Sequence, residues 1–221
     1  MRRVLVLRPE PGASATVERA QQRGLKAVAV PLFEVEPIDW KTPDPDRFDA
    51  LLLTSANAVR HGGDGLKVLR GMPVHAIGAA TADAAREAGF TIVGIGDAGV
   101  DRLLGSLDPD LRLLHLTGED RIALASARQA LTVVPVYRAR EVPNPALQSV
   151  QGSVALIHSP RAGRRFAELV QDRGSVIIAA ISRAAAEAVG AGWASVEATE
   201  SPNDDALLAL AARLCNNLPG R

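Results

Sequence analysis

Two serine-centred segments carry the first chemical signal. Thr54-Ser55-Ala56-Asn57 and His158-Ser159-Pro160 each follow an apolar run and precede a helix-like stretch. Hydroxyls and free backbone N–H groups at a helix start attract anions, carboxylates included. Any strand-to-helix turn also uses such residues as an N-cap, so both roles stand open here. Gly78-Ala79-Ala80-Thr81 and Ser182-Arg183-Ala184-Ala185 form a second pair of such turns. Gly78 permits close backbone approach, while Thr81 and Ser182 can cap a helix or donate to a ligand carboxylate. Tyr137 is the only tyrosine, and its phenol can donate a proton or a hydrogen bond. Packing alone also accounts for a ring at that position, because its counterpart in an internal repeat is Phe33.

Other motifs are weaker. Gly94-Ile-Gly96-Asp-Ala-Gly99 is a GxGxxG string with Glu119 and Asp120 at roughly the distance of a ribose carboxylate. Its strand comes late in the unit and its helix is short, stopped by Asp108-Pro109, which disfavours dinucleotide binding. His61, His75, His115 and His158 show no metal-ligand spacing. Glu10, Glu34, Glu36, Glu119 and Asp120 form no evident acid/base pair. Among 25 basic and 25 acidic residues the charge balances to zero. That argues against general nucleic-acid or anionic-membrane binding. With 3% aromatic residues, stacking platforms for single-stranded nucleic acid are scarce. One cysteine, Cys215, excludes a disulfide framework. The apolar run at the N-terminus is only four residues long, and no stretch approaches a membrane span. A cytoplasmic protein is expected.

These turns need a scaffold of strands and helices. Strands are expected at Val4–Leu7, Ala27–Val30, Ala50–Leu53, Val74–Ile77, Thr91–Ile95, Leu113–Leu116, Val133–Val134, Val154–His158, Val176–Ile181 and Ser195–Ala198. Helices are expected at Ser14–Arg23, Ala56–Leu69, Thr81–Ala88, Val100–Leu107, Ile122–Ala130, Gly163–Gln171, Ala184–Val189 and Asp205–Leu214. Apolar strands alternating with helices indicate parallel sheets covered on both faces. The order also repeats. Ser55 and Ser159, Gly78 and Ser182, Asp101 and Asp205, and Pro31 and Pro135 are each separated by 104 residues. The chain therefore reads as two copies of an α/β unit of about a hundred residues. Pro31–Pro37 and Pro135–Pro143 alternate apolar and charged residues between prolines, as half-exposed strands do. They are expected to pair as a connector, followed by linker-like segments at 39–48 and 144–152.

In this order and spacing the motifs resemble uroporphyrinogen-III synthase. The resemblance rests on Val4-Leu-Val-Leu-Arg8-Pro9, the Pro31–Pro37 segment, Leu53-Thr54-Ser55-Ala-Asn57, Ala76-Ile-Gly78-Ala-Ala-Thr81 and Leu116-Thr-Gly118-Glu119. Val134-Pro135-Val-Tyr137, His158-Ser159-Pro160-Arg161 and the closing Pro202-Asn-Asp-Asp-Ala-Leu-Leu extend it over nearly the whole chain. It implies two Rossmann-like (flavodoxin-like) parallel-sheet domains joined by a two-stranded antiparallel connector. One domain would be discontinuous, residues 1–35 with 144–221, and the other would be 39–132, with 33–38 and 133–143 as connector strands. The chain departs from the family pattern at Ala185, where the second copy often has a threonine matching Thr81.

The resemblance also implies an activity: closure of linear hydroxymethylbilane to uroporphyrinogen III, in heme and tetrapyrrole biosynthesis. Loss of the terminal hydroxyl leaves an azafulvene, the far pyrrole attacks through its substituted carbon, and a spiro intermediate rearranges with that ring inverted. Two domains flanking a cleft would select the folded substrate. Tyr137 is the implied acid. Arg8, Thr54, Ser55, Asn57, Gly78, Thr81, Ser159, Pro160, Ser182 and Arg183 are the implied contacts for a substrate with eight carboxylates. No cofactor, metal, nucleic acid or membrane is implied, and the protein is expected to be a monomer. The rival reading is a non-catalytic two-domain hinge protein that binds a small anion.

Overall fold

The computed structural model describes residues 2–216 apart from Ala98, 121–123, 125–126 and Ser149. In chain order its elements are β1 (Arg3–Val6), α1 (Gly12–Gln22), β2 (Lys26–Ala29), β3 (Phe33–Pro37), β4 (Ala50–Leu53), α2 (Ala56–His61), α3 (Gly65–Val68) and β5 (Pro73–Ile77). Next come α4 (Ala79–Glu87), β6 (Thr91–Gly96), α5 (Val100–Ser106), β7 (Arg112–Gly118), β8 (Ala130–Glu141) and β9 (Val154–Ile157). The last are α6 (Pro160–Leu169), β10 (Ile177–Ala180), α7 (Arg183–Ala188), β11 (Ser195–Ala198) and α8 (Asp204–Asn216). Of the helix expected over Ile122–Ala130, residues 122–123 and 125–126 lie outside the described residues. The others are not helical: Leu124 and residues 127–129 are irregular and Ala130 opens β8, so the helix periodicity there is overridden by the approach to the β8 ladder.

The chain divides into two compact units, Met1–Glu34 with Glu141–Arg221, and Val35–Arg140. The first holds a five-stranded sheet in the order β11-β10-β9-β1-β2, with every pair parallel. The second holds the order β3-β8-β7-β4-β5-β6, parallel from β6 through β8. At its edge, β3 lies beside β8. Hydrogen bonds from Ile38 N to Val136 O (3.2 Å) and from Val142 N to Leu32 O (2.9 Å) run with opposed residue numbers, so these two strands oppose in direction.

Apolar patterning explains both sheets. Every residue of β4, β9 and β10 is buried, as strands covered on both faces must be. Leu51 and Leu53 join one apolar cluster of the second unit, with Leu114 and Leu116. Ala50 and Leu52 join another, with Leu113. That division follows from side chains alternating between the two faces of a strand. In the first unit Val4, Val6, Val154 and Leu156 pack with Leu207, Leu208 and Leu214 of α8.

Two expected elements differ in extent. The single helix expected over Ala56–Leu69 is two helices, interrupted at Gly62-Gly63. Gly63 has φ of 60°, a left-handed conformation that ends a helix and that side-chain-bearing residues resist. The short strand expected at Val133–Val134 is part of the twelve-residue β8, because the half-exposed, proline-bounded segment continues the same ladder rather than starting a new element.

Candidate functional site

In an open parallel sheet, ligands sit outside the carboxyl ends of strands where consecutive connections leave in opposite directions. In the second unit that place is between β4 and β7. β4 leads into Thr54 and Ser55, and β7 ends at Gly118. Ser55 is the extended N-cap of α2, its oxygen accepting from Asn57 N–H at 3.2 Å. Thr54 Oγ1 lies 3.0 Å from Nε2 of His115, which is 2% exposed inside β7. That contact orients the Thr54 hydroxyl from below. Tyr137, half-buried in β8, stands opposite Gly118. Its ring is tilted 40° to that of His61 on α2, with centroids 6.2 Å apart. Burial, followed by the charge of Arg60, lowers the His61 pKa from its ordinary value. Beyond Tyr137, Glu36 accepts from Arg138 Nε at 2.6 Å and from Arg140 at 3.5 Å. The hydrogen bond from Arg138 is the main cause holding Glu36 below the usual carboxylate range.

Gly78 opens α4 with φ of 80° and ψ of 151° and no side-chain cap. Thr81 lies in the first turn of that helix and is buried at 5% exposure. The glycine-rich string is used differently from a phosphate loop. Gly94 and Gly96 lie within β6, where added Cβ atoms would meet His75 at 2.6 Å and Ile77 at 2.9 Å. Gly99 caps α5, and Ala98 is outside the described residues. A cavity of about 460 Å³ lined by Phe48, Asp49, Met72 and Pro73 opens at the amino ends of β4 and β5, away from the carboxyl-end groups.

The corresponding place in the first unit lies between β1 and β9. Arg8 follows β1, and His158, Ser159 and Pro160 follow β9. Ser159 caps α6 by accepting from Ala162 N–H at 3.2 Å, with Pro160 at the first helical position. Ser182 caps α7 by accepting from Ala185 N–H at 3.3 Å. Arg183 is a surface residue, 3.6 Å from Glu187 one turn on.

Asp204 ties this end of the first unit together. Its carboxylate accepts from Thr16 Oγ1 at 3.0 Å, from His158 Nε2 at 2.9 Å and from Arg19, and Arg8 lies 3.7 Å away. A carboxylate only accepts, so Nε2 of His158 carries the hydrogen. Burial pushes the Asp204 pKa up, but hydrogen bonds from His158 and Arg19, then Thr16, pull it well below the usual range. Sequence reasoning missed Asp204 although it lies within the closing Pro202-Asn-Asp-Asp motif. It also missed His115 and His61, treated there only as unsuited to metal binding. Among the described residues no group of three His, Cys, Asp or Glu could hold a metal ion, and no helix is long and apolar enough to cross a membrane.

The fold has known counterparts. The family described as uroporphyrinogen-III synthase HemD matches residues 14–209. A uroporphyrinogen-III synthase from Chlorobaculum parvum is 31% identical over 119 residues, covering 49% of this chain and 48% of that protein. The match therefore spans about half the length of that curated relative. Among solved structures, uroporphyrinogen-III synthetase from Helicobacter pylori 26695 superposes with a TM-score of 0.70 at 19% identity, over 97% of this chain and 100% of that one. A mutant uroporphyrinogen III synthase from the extremely thermophilic bacterium Thermus thermophilus gives 0.54 at 20% identity, over 98% and 100%. Likeness at such identities establishes the α/β fold, and the family match over most of the length establishes the rest: the chain belongs to the uroporphyrinogen-III synthase family.

Proposed function

We propose that this protein cyclises hydroxymethylbilane to uroporphyrinogen III with loss of water. The observation that carries this reading is the family match over residues 14–209. The substrate closes unaided without ring inversion, so the protein's task is chiefly to choose a conformation. Holding two ends of one molecule in reacting geometry contributes about 7–11 kcal/mol in favourable cases. Carboxylates of the substrate meet Arg8, Asn57, the backbone at Gly78, and the hydroxyls of Thr54, Ser55, Thr81, Ser159 and Ser182, with Arg183 and the Pro160 turn beside them. Each capping serine accepts from a helix N–H and keeps its own O–H to donate. The Tyr137 O–H donates to the departing hydroxyl, so that water leaves. The proton released when the inverted ring regains aromaticity restores the phenol.

We assign residues 1–35 with 144–221 and residues 39–132 to two domains, linked through 33–38 and 133–143. We further propose a cytoplasmic monomer that uses no cofactor and binds no nucleic acid. Incubation with enzymatically generated hydroxymethylbilane, followed by isomer analysis, tests the activity. The expected product is isomer III, formed equally well after exhaustive chelation. Isomer I alone, at the spontaneous rate, would overturn the reading and leave a non-catalytic anion-binding protein.

A further inference from the structure

The direction of Tyr137 is set by an irregularity in the sheet. Along the β7–β8 ladder the partners advance in step from Arg112 with Ala130 to Thr117 with Pro135. The next pair is Gly118 with Tyr137, and Val136 is passed over. A regular ladder would set Val136 beside Gly118 and carry Tyr137 one step on, to the other face. Such bulges re-aim side chains. Here the passed-over residue is held in place, because Val136 is fully buried and its carbonyl accepts from Ile38 N–H at 3.2 Å. The carbonyl of Tyr137 accepts from Glu119 N–H at 2.9 Å. The backbone around the ring is therefore tied to β7 and to the residue following β3.

Gly118 supplies the space. A Cβ placed on it would stand 2.8 Å from Cε2 and 2.9 Å from Cζ of Tyr137, closer than real Cβ contacts allow, and 3.1 Å from Oη, tight enough that the oxygen must give way. Gly118 is not among the glycines with positive φ, so its backbone does not demand glycine; the ring does. The clash runs along the ring edge to the phenolic oxygen, so an added methyl would move the hydroxyl itself. The neighbouring ring of His61 restricts where the phenol could go instead.

We propose that Gly118 is a positioning residue: together with the bulge at Val136 it seats the Tyr137 phenol where it donates to the leaving hydroxyl. The proposal rests on Tyr137 being the acid. Its test is a double-mutant cycle in kcat. Gly118→Ala should lower kcat at least tenfold with KM little changed. In the Tyr137→Phe background the same substitution should cost almost nothing, because the hydroxyl it displaces is already gone. Costs that multiply in the double variant, or a Gly118→Ala enzyme with unaltered kcat, would overturn the seat while leaving the acid in place. A Tyr137→Phe enzyme with unaltered kcat would instead remove the acid, and the seat's purpose with it. Should Gly118→Ala fail to fold, the unaltered protein still decides. With its sole tyrosine ring-labelled, nuclear Overhauser contacts from the ring to the Gly118 Hα protons and the His61 ring are expected, and their absence would overturn the proposal.

Discussion

Ser159 caps a helix, and chemistry can separate that role from the substrate contact proposed for the same hydroxyl. As N-cap it accepts from Ala162 N–H, and alanine there should cost about 1 kcal/mol of stability. Aspartate caps as well as serine but presents a negative charge to an anionic substrate. Ser159→Asp should therefore keep the denaturation midpoint while raising KM about tenfold by like-charge repulsion. An unchanged KM would leave Ser159 a cap alone. Asp204 makes a different kind of statement. Because its folded pKa is depressed, its stabilisation is full above the ordinary aspartate value near 3.9 and is lost as pH falls toward the depressed value. Asp204→Asn should start roughly 1.5–3 kcal/mol less stable at pH 7, from weakened hydrogen bonds to a charged group. It should then lose less than the unaltered protein below about pH 4. Denaturation curves from pH 7 to pH 3 check both; parallel declines would clear Asp204 of any part in acid sensitivity.

The elements were legible where one local pattern determines them. Continuous apolar runs such as Ala50–Leu53 and Val154–Ile157 are strands because parallel sheets bury both faces. The break at Gly62-Gly63 and the length of β8 were harder, since helix periodicity continues across the glycines and Pro135 within β8 looks like an end. The network at Asp204 was illegible for another reason: Thr16 is 188 residues away from it in the chain, and no local pattern encodes that approach. Tyr137 could be picked out as the lone tyrosine, but its seat depends on a one-residue slip between strands. The turn between β5 and α4 shows what a single backbone position can cost. Gly78 at φ 80° and ψ 151° occupies a region essentially closed to other residues. A Cβ there meets nothing within 4 Å. Gly78→Ala should therefore destabilise by about 1–3 kcal/mol through backbone strain alone, measured by denaturant midpoint. A neutral substitution would show that the turn relaxes freely.

At the scale of the molecule the 104-residue repeat is a permuted one. β2 and β8, β4 and β9, α2 and α6, β5 and β10, α4 and α7, β6 and β11, and α5 and α8 each begin 104 residues apart. The spatial order β6-β5-β4-β7-β8 in one sheet corresponds strand for strand to β11-β10-β9-β1-β2 in the other. Yet the first unit takes β1 and β2 from the start of the chain and β9 to β11 from its end. Its central pairing, β9 on β1, joins segments separated by the whole second unit. Fragment 141–221 alone lacks Val4, Val6, Ala13, Ala20, Leu25 and Ala27 from its apolar cluster and should not fold cooperatively. The separation is nevertheless short in space, because Val142 N–H donates to Leu32 O at 2.9 Å. Deleting residues 35–140 and joining Glu34 to Glu141 by a few glycines should therefore restore a continuous flavodoxin-like chain. Both of its sheet halves and its core would be present, and closing a short loop costs little entropy. We expect this protein to unfold in one cooperative denaturant transition, with a slope smaller than that of the full chain in proportion to the surface it buries. A broad transition, or a collapsed state without near-ultraviolet dichroism, would mean that the first unit depends on the second for more than its connection.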